Sequence, residues 1–312
     1  MEHVFENNLL WKRYNNLVLI MAGGLGKRMN SDLPKVLHEL NGLPLIVHVV
    51  KSALQIDATS VIYIVVGKYR DQIENVINEH FIKSDYIRYI NQPEPLGTGH
   101  AIQCCLPTLQ QYDLNSNVLI LSGDVPLFST QSMREIMNNR YAATIVATQM
   151  EEPYGYGRII QSQPHQQPHQ QSHQQSHQHT SAYQSHQHTS AYQSHQQSQP
   201  HTSAYQSHTS AYQSHTSALR IVEEKDCTDE EKLVKLVNCG IYAFKNEFLC
   251  QNLPKINNNN AQQEYYLTSI FSEGEGKIVL FEIPAEKHYE VCGINTPEQL
   301  DAFQNNIIFN LL

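Results

Sequence analysis

Apolar runs of strand length alternate along the first half of the chain with stretches whose apolar residues recur at helical spacing. Leu17–Met21 predicts a first buried strand. After Pro44, Leu45–Leu54 sets Leu45, Val49, Val50 and Ala53 on one helical face. Val61–Val66 predicts a second buried strand, ended by Gly67, and Tyr69–Glu79 a helix with Ile73, Val76 and Ile77 on one side. A short strand at Ile87–Ile90, a helix over Gly99–Leu109 and a strand at Val118–Leu121 running into Ser122-Gly123-Asp124 follow. Gln131–Asn138 predicts another helix and Ala143–Gln149 another strand. Run length separates strand from helix here, and the alternation predicts an α/β fold with a mostly parallel sheet and helices on both faces. Such sheets bind ligands beyond the carboxyl ends of their strands. The glycine turn after Met21 and Asp124 both fall at such ends.

The pattern stops at Gln161. From Gln161 to Ala218 there is no charge and no Leu, Ile, Val or Phe, only repeats of SHTSAYQ-like units such as Ser207–Gln213. Each unit has only Ala and Tyr to bury, too little to offset the entropy of ordering it, so the tract 161–218 is expected to be a disordered insertion. Its flanks, Gly157–Ile160 and Leu219–Val222, read as two strands of a hairpin with an expanded tip. The tract holds eleven of the 17 histidines, without a fixed ligand spacing, so composition rather than a metal site accounts for them. Beyond it, Asp229–Val237 predicts a helix, Ile241–Phe244 a strand, Ala261–Phe271 an apolar helical face and Pro297–Phe309 a final helix. Residues 1–16 form an N-terminal extension, and 17–312 one domain that the insertion interrupts.

Composition narrows the function classes. The hydrophobic fraction of 40% is low because of the insertion, and the rest of the 312 residues suffices for one three-layer core. Net charge is −9 with no basic run, which argues against nucleic acid or an anionic membrane as the main partner. Cys104, Cys105, Cys227, Cys239, Cys250 and Cys292 form no C-x-x-C pair and read as reduced, mostly buried thiols. The first sixteen residues carry early acids and no apolar core of a leader, and no apolar run has the length of a membrane span. A soluble, cytoplasmic protein is expected.

The candidate chemistry begins at Gly23-Gly24-Leu25-Gly26-Lys27-Arg28. Glycines permit positive φ and close approach of backbone, so successive N–H groups can line an anion site. The spacing is neither the P-loop G-x-x-x-x-G-K-[ST] nor G-x-G-x-x-G. Arg28 can fork onto phosphate oxygens, and Lys35, after Leu33-Pro34, adds a compact charge. Together, close behind the glycine turn, they read as a phosphate clamp.

The run from Gly23 through Arg28-Met29 to Asp32-Leu33-Pro34-Lys35-Val36-Leu37-His38 resembles the opening motif of the sugar-1-phosphate nucleotidyltransferase family. It is similar in particular to the uridyltransferase domain of bacterial N-acetylglucosamine-1-phosphate uridyltransferases. Further matches follow in order: Gln92 with Leu96–Ala101, Gly123–Leu127, Tyr154–Ile159, Ile221–Asp226, Val237–Ile241, Asn258–Thr268 and Val291–Asn295. They span Leu17 to about Ala302 apart from the insertion.

The resemblance implies a Rossmann-like, mostly parallel sheet flanked by helices, of the nucleotide-diphospho-sugar transferase type. It implies Mg²⁺-dependent transfer of UMP from UTP to N-acetylglucosamine-1-phosphate. Arg28 and Lys35 match the catalytic cations, and Asp124 and Asn295 the metal ligands, hard oxygen donors suited to Mg²⁺. Gly23, Gly24, Gly26, Gln92, Gly97 and Thr98 match nucleotide-binding positions, the last three reading uracil. Gly157, Glu223 and Asn238 match the sugar-binding set. His100 is read as a helix-start or packing residue. Leu25, Cys239 and Ser269 depart from residues common in the family: a basic or polar one, a small hydroxyl one and Asp. UTP and the sugar phosphate are the expected partners. No nucleic acid or membrane partner is expected from the charge, and no acetyl-CoA partner, since no hexapeptide β-helix repeat follows. The alternatives are another sugar-1-phosphate or a non-catalytic nucleotide-sugar binding protein.

Overall fold

The computed structural model describes residues 14–81, 84–138, 140–161, 212–213, 219–273 and 277–305. Its strands are β1 (Asn16–Met21), β2 (Glu39–Leu40), β3 (Leu43–Pro44), β4 (Ser60–Val66), β5 (Ile87–Asn91), β6 (Asn117–Ser122), β7 (Ala143–Gln149), β8 (Gly157–Gln161), β9 (Tyr212–Gln213), β10 (Leu219–Val222), β11 (Leu236–Lys245) and β12 (Ile278–Ile283). Its helices are α1 (Leu45–Leu54), α2 (Arg70–His80), α3 (Thr98–Gln103), α4 (Leu106–Leu109), α5 (Thr130–Met137), α6 (Asp229–Lys232), α7 (Asn246–Asn252), α8 (Ile270–Glu273) and α9 (Pro297–Asn305).

The main sheet runs β5-β4-β1-β6-β11-β7-β12-β9, with β8 joined to β11 and β10 to β8. The pairs β5–β4, β4–β1 and β1–β6 are parallel, and so is β7–β12. β11 enters antiparallel to both β6 and β7, so β7 and β12 point the same way as β1. Alternate residues of the central strands face opposite cores, as a pleat of period two requires. Val18 and Ile20 of β1, with Ile62, Ile64 and Val66 of β4, join a cluster that includes Val50 of α1, Ile73 of α2 and Ile136 of α5. Leu17 and Leu19, with Val61, Tyr63 and Val65, join the opposite cluster with Ile102 of α3, Leu249 of α7 and Ile270 of α8. Both faces are covered, which is why these strands read as continuous apolar runs.

Four expectations need correction. The helix expected over Gly99–Leu109 is two, α3 and α4, with a turn at Cys104-Cys105. Pro107, at the start of α4, has no N–H for the carbonyl one turn back. The helix over Asp229–Val237 ends at Lys232, although Thr228 and Glu231 form a full capping box. Val237 and Asn238 are drawn into β11 by pairing with Arg158 and Gly157, so tertiary pairing overrides propensity. The strand expected at Ile241–Phe244 is therefore the end of a ten-residue strand. Ala261–Phe271 is not one helix either. The Asn260 side chain accepts from Gln262 and Glu264 N–H, each at 3.2 Å, and holds the chain in a loop before a 3₁₀ turn at Leu267–Ser269.

β12 was not anticipated, though its burial is nearly complete. β8 and β10 form the expected antiparallel pair, with Gln161 opposite Leu219. Gln161 thus belongs to a strand, and β9 pairs antiparallel with β12. The rest of 161–218, residues 1–13 and the end of the last expected helix, 306–309, lie outside the described residues. No helix among the described residues is long and apolar enough to cross a membrane.

Candidate active site

The parallel strands β1, β4, β5 and β6 deliver their carboxyl ends to one edge of the sheet. The chain leaves β1 for β4 on one side and returns to β6 on the other, so a crevice opens at β1. A cleft of about 570 Å³ lies there, lined by Gly23, Gly24, Gly26, Arg28, Lys35, Gln92, Gly97, Thr98, Asp124 and Asn295. A second hollow of about 260 Å³ adjoins it, lined by Gly157, Glu223 and Asn238, and again by Arg28, Thr98, Asp124 and Asn295. Every site residue expected from the sequence lines one half or the other. His100 lines neither, in keeping with a packing role.

In the first half, the turn after β1 reaches Gly26 at φ 60°, and a Cβ there would lie 2.7 Å from Lys35 Cβ. The glycine turn and the lysine stem therefore pack directly together. Lys35 Nζ donates to Asp124 Oδ2 at 2.5 Å and to Asn295 Oδ1 at 2.9 Å. Arg28 also donates to Asn295 Oδ1, at 3.1 Å. Ser122 Oγ donates to the other Asp124 oxygen. The Asp124 carbonyl accepts from Ile294 N at 2.9 Å, and Asn295 N donates to Gln299 Oε1 at 2.7 Å. These bonds tie the end of β6 to the segment before α9.

Gln92, only 7% exposed, follows β5. Its Nε2 donates to Gly97 O at 3.1 Å, and its Oε1 points toward Gly23, where a Cβ would lie 2.8 Å away. The amide nitrogen is thus already engaged by backbone. Gly97 has φ 116°, and a Cβ on it would meet the Tyr265 carbonyl oxygen at 2.5 Å. The 260–266 loop lies against it through Gly99 N to Tyr265 O at 2.6 Å and Tyr265 N to Leu96 O at 2.8 Å. Thr98 Oγ1 accepts from Leu267 N at 3.1 Å.

In the second half, Thr268 Oγ1 donates to Glu223 Oε1 at 2.8 Å. Burial raises the Glu223 carboxyl above the ordinary carboxylate range, and the Thr268 hydrogen bond offsets part of that rise. Asn238 Nδ2 donates to Tyr242 Oη at 2.8 Å, and its Oδ1 accepts from Gly240 N at 3.2 Å. This fixes the amide at the bulge of β11. Next to these residues, the buried Arg158 pairs with Glu224 at 2.7 Å, linking β8 to the segment after β10. Burial raises the thiols of Cys239 and Cys292, so neither is poised as a nucleophile. Ser122, Thr268 and Gln299, which hold Asp124, Glu223 and Asn295, drew no role from the sequence. Their hydroxyl and amide side chains are common everywhere, and only folding shows whom they touch. Tyr154, in a stretch that matches the family motif, lies 85% exposed at the rim of this half.

A family model described as MobA-like NTP transferase domain matches residues 18–215. A probable UDP-N-acetylglucosamine pyrophosphorylase of Acanthamoeba polyphaga mimivirus is 33% identical over 310 residues, covering 96% of this chain and 98% of that protein. The bifunctional protein GlmU of Geotalea uraniireducens is 32% identical over 292 residues, covering 92% of this chain and 51% of its own length. The chain thus spans about half the length of that relative. Among solved structures, a UDP-glucose pyrophosphorylase bound to UDP-glucose has a TM-score of 0.57 at 16% identity, covering 92% of this chain and 98% of its own. A putative glucose-1-phosphate thymidylyltransferase from Bacillus anthracis has a TM-score of 0.56 at 16% identity, covering 93% and 94%. These two likenesses show the fold. With the two-part cleft at the carboxyl ends of β1 and β6 and relatives that align along nearly the whole chain, this protein belongs to the MobA-like NTP transferase family and is a sugar nucleotidyltransferase.

Proposed function

We propose that the protein transfers UMP from UTP to N-acetylglucosamine-1-phosphate, giving UDP-N-acetylglucosamine and pyrophosphate. The observation that carries this reading is the pair of adjoining hollows that share Arg28, Asp124 and Asn295. One half offers glycine backbone and two cations, the other a carboxylate and an amide fit for sugar hydroxyls and an N-acetyl group. The mimivirus relative's name points to the same reaction.

In this reading the UTP phosphates lie along Gly23–Gly26, and the base lies between Gln92, Gly97 and Thr98. Gln92 Oε1 offers an acceptor to the imide N–H of uracil. Glu223 and Asn238 hold the sugar, and Tyr154 gives the hexose ring an aromatic face at the rim. The sugar phosphate is already an anionic nucleophile, so no general base is required. Its oxygen attacks the α-phosphorus in line, the bond to the β-phosphate oxygen breaks, and pyrophosphate leaves with the electron pair. Arg28 and Lys35 stabilise the charge that grows on the transferred group and the leaving group.

Asp124 Oδ2 and Asn295 Oδ1 fit a Mg²⁺ ion. Both are hard oxygens, and both already converge on one cationic atom, Lys35 Nζ. No group of three or more His, Cys, Asp or Glu side chains among the described residues is arranged to hold a metal ion, so substrate oxygens and water would complete the shell. When bound, the ion would neutralise phosphate charge and hold the two substrates in line. Asp124 and Asn295 would position it, with Ser122 bonded to the Asp124 carboxylate and Gln299 to the Asn295 backbone N–H.

The test is pyrophosphate release with Mg²⁺ across a panel of nucleoside triphosphates and sugar-1-phosphates. UTP with N-acetylglucosamine-1-phosphate should give the highest kcat/KM. A higher value for another hexose phosphate would move the assignment to that sugar. Binding of UDP-sugar without pyrophosphate release under any pairing would identify a non-catalytic binding protein.

A further inference from the structure

We infer that Lys35 is the resident cation of the Asp124–Asn295 position, so that a divalent ion loads there only when a polyphosphate draws the lysine away. The inference rests on the assignment of Asp124 and Asn295 as the metal ligands. Asn295 Oδ1 has two lone pairs and accepts two hydrogen bonds, from Lys35 Nζ at 2.9 Å and from Arg28 at 3.1 Å. Asp124 Oδ2 accepts from the same ammonium at 2.5 Å, while its other oxygen accepts from Ser122. A divalent ion held by these oxygens at about 2.0–2.6 Å would take the space that Nζ fills. The ammonium and the ion exclude one another by volume and by like charge. The Lys35 side chain is only 18% exposed and that of Asp124 9%, so water screens the conflict weakly.

A bound polyphosphate would give Lys35 another anion to turn to. Its Cβ packs on Gly26, placing the stem against the turn whose backbone faces the same cleft. A polyphosphate seated on that turn offers oxygens to the ammonium and frees both metal-ligand oxygens. Ion and polyphosphate then strengthen each other's binding by the same factor, as linkage demands. The protein gains an order of loading: nucleotide phosphates open the cation position, and an ion alone does not.

The experiment is Mn²⁺ titration of the full chain without nucleotide, read from the electron paramagnetic resonance signal of free Mn²⁺. Wild type should bind weakly. Lys35→Met should bind about tenfold more tightly or better, about 1.4 kcal/mol, and Asp124→Asn in that background should remove the gain. Lys35→Arg, which keeps a cation in place, should remain weak. Arg28→Met should gain less, because of the two ligand residues Arg28 bonds to Asn295 and not, among the described contacts, to Asp124. Urea midpoints check that each variant folds, and Lys35→Gln replaces Lys35→Met if the latter does not. Equal affinity of wild type and Lys35→Met overturns the inference. So does an equal gain from Arg28→Met, which would reduce the effect to net charge. Pyrophosphate release by wild type tests the assigned reaction separately, so the two can fail independently.

Discussion

Gly97→Ala is the substitution whose cost the geometry states most directly. Gly97 has φ 116° and ψ 174°, a region that residues with a Cβ enter at about 1–3 kcal/mol. The new Cβ would also lie 2.5 Å from Tyr265 O and 2.9 Å from Tyr265 N. Ordinary contact begins near 3.4 Å, and both atoms are backbone, so no rotamer relieves the overlap. The 260–266 loop must retreat by about 1 Å, stretching the bonds that join Tyr265 to Leu96 and Gly99, each worth about 0.5–1.5 kcal/mol. The combined loss is about 2–6 kcal/mol. Urea unfolding and calorimetric UTP binding should divide it between global stability and nucleotide affinity. Gly24→Ala is the control, because no atom lies within 4 Å of its Cβ position and its φ is not in the left-handed range. It should stay within about 0.5 kcal/mol of wild type in stability. A Gly97→Ala protein matching wild type in both stability and UTP affinity would refute the reasoning.

Asp124→Ala should lower turnover by about 10²-fold or more while leaving the circular dichroism spectrum near wild type; a well-folded variant with normal turnover would remove Asp124 from the chemistry. Excess chelator should stop pyrophosphate release and added Mg²⁺ should restore it, whereas release that persists in chelator would rule out a divalent ion. Burial favours protonated Glu223 in the folded state, so its contribution to stability is complete below the ordinary carboxylate range and is lost as pH rises through the raised value. Glu223→Gln should therefore gain on wild type in urea midpoint from acid to neutral pH, and a constant gap would contradict that. Arg158→Met should cost about 2–3 kcal/mol, less than a fully buried pair because the Glu224 side chain is 22% exposed. Adding Glu224→Gln should recover part of it, and strict additivity in the double variant would show that the pair is not coupled.

The parallel half of the sheet was readable because each strand there is buried on both faces and written as an unbroken apolar run. Boundaries at Leu17, Val61, Ile87 and Val118 moved by at most a residue. The second half was harder. β11 carries Asn238, Cys239 and Gly240 at its bulge, and polar residues in a buried strand mimic a loop until their partners are known. The 261–271 segment has helical spacing, yet the Asn260 side chain and pairing to Leu96 outweigh it. The site positions were legible as short motifs, each marking a strand end or a turn. What no motif could show is that Lys35, Arg28, Asp124 and Asn295 share one hydrogen-bonded cluster, because that contact joins β6 to the segment before α9.

The partners of Lys35 also set a schedule for making the site. Asp124 lies 89 positions after Lys35 and Asn295 lies 260 after it. A ribosome adding about 5–20 residues per second presents the aspartate on the order of 10 s after the lysine and the asparagine tens of seconds after it. The emerging amino-terminal half can thus settle its buried cation on one carboxylate before the rest of the chain exists. The sugar side waits for β11 to slot between β6 and β7 in the middle of the sheet. Neither half is finished early, because the 260–266 loop that packs on Gly97 and the Asn295 shared by both hollows follow β11 in the chain, so truncated chains released before them should lack turnover.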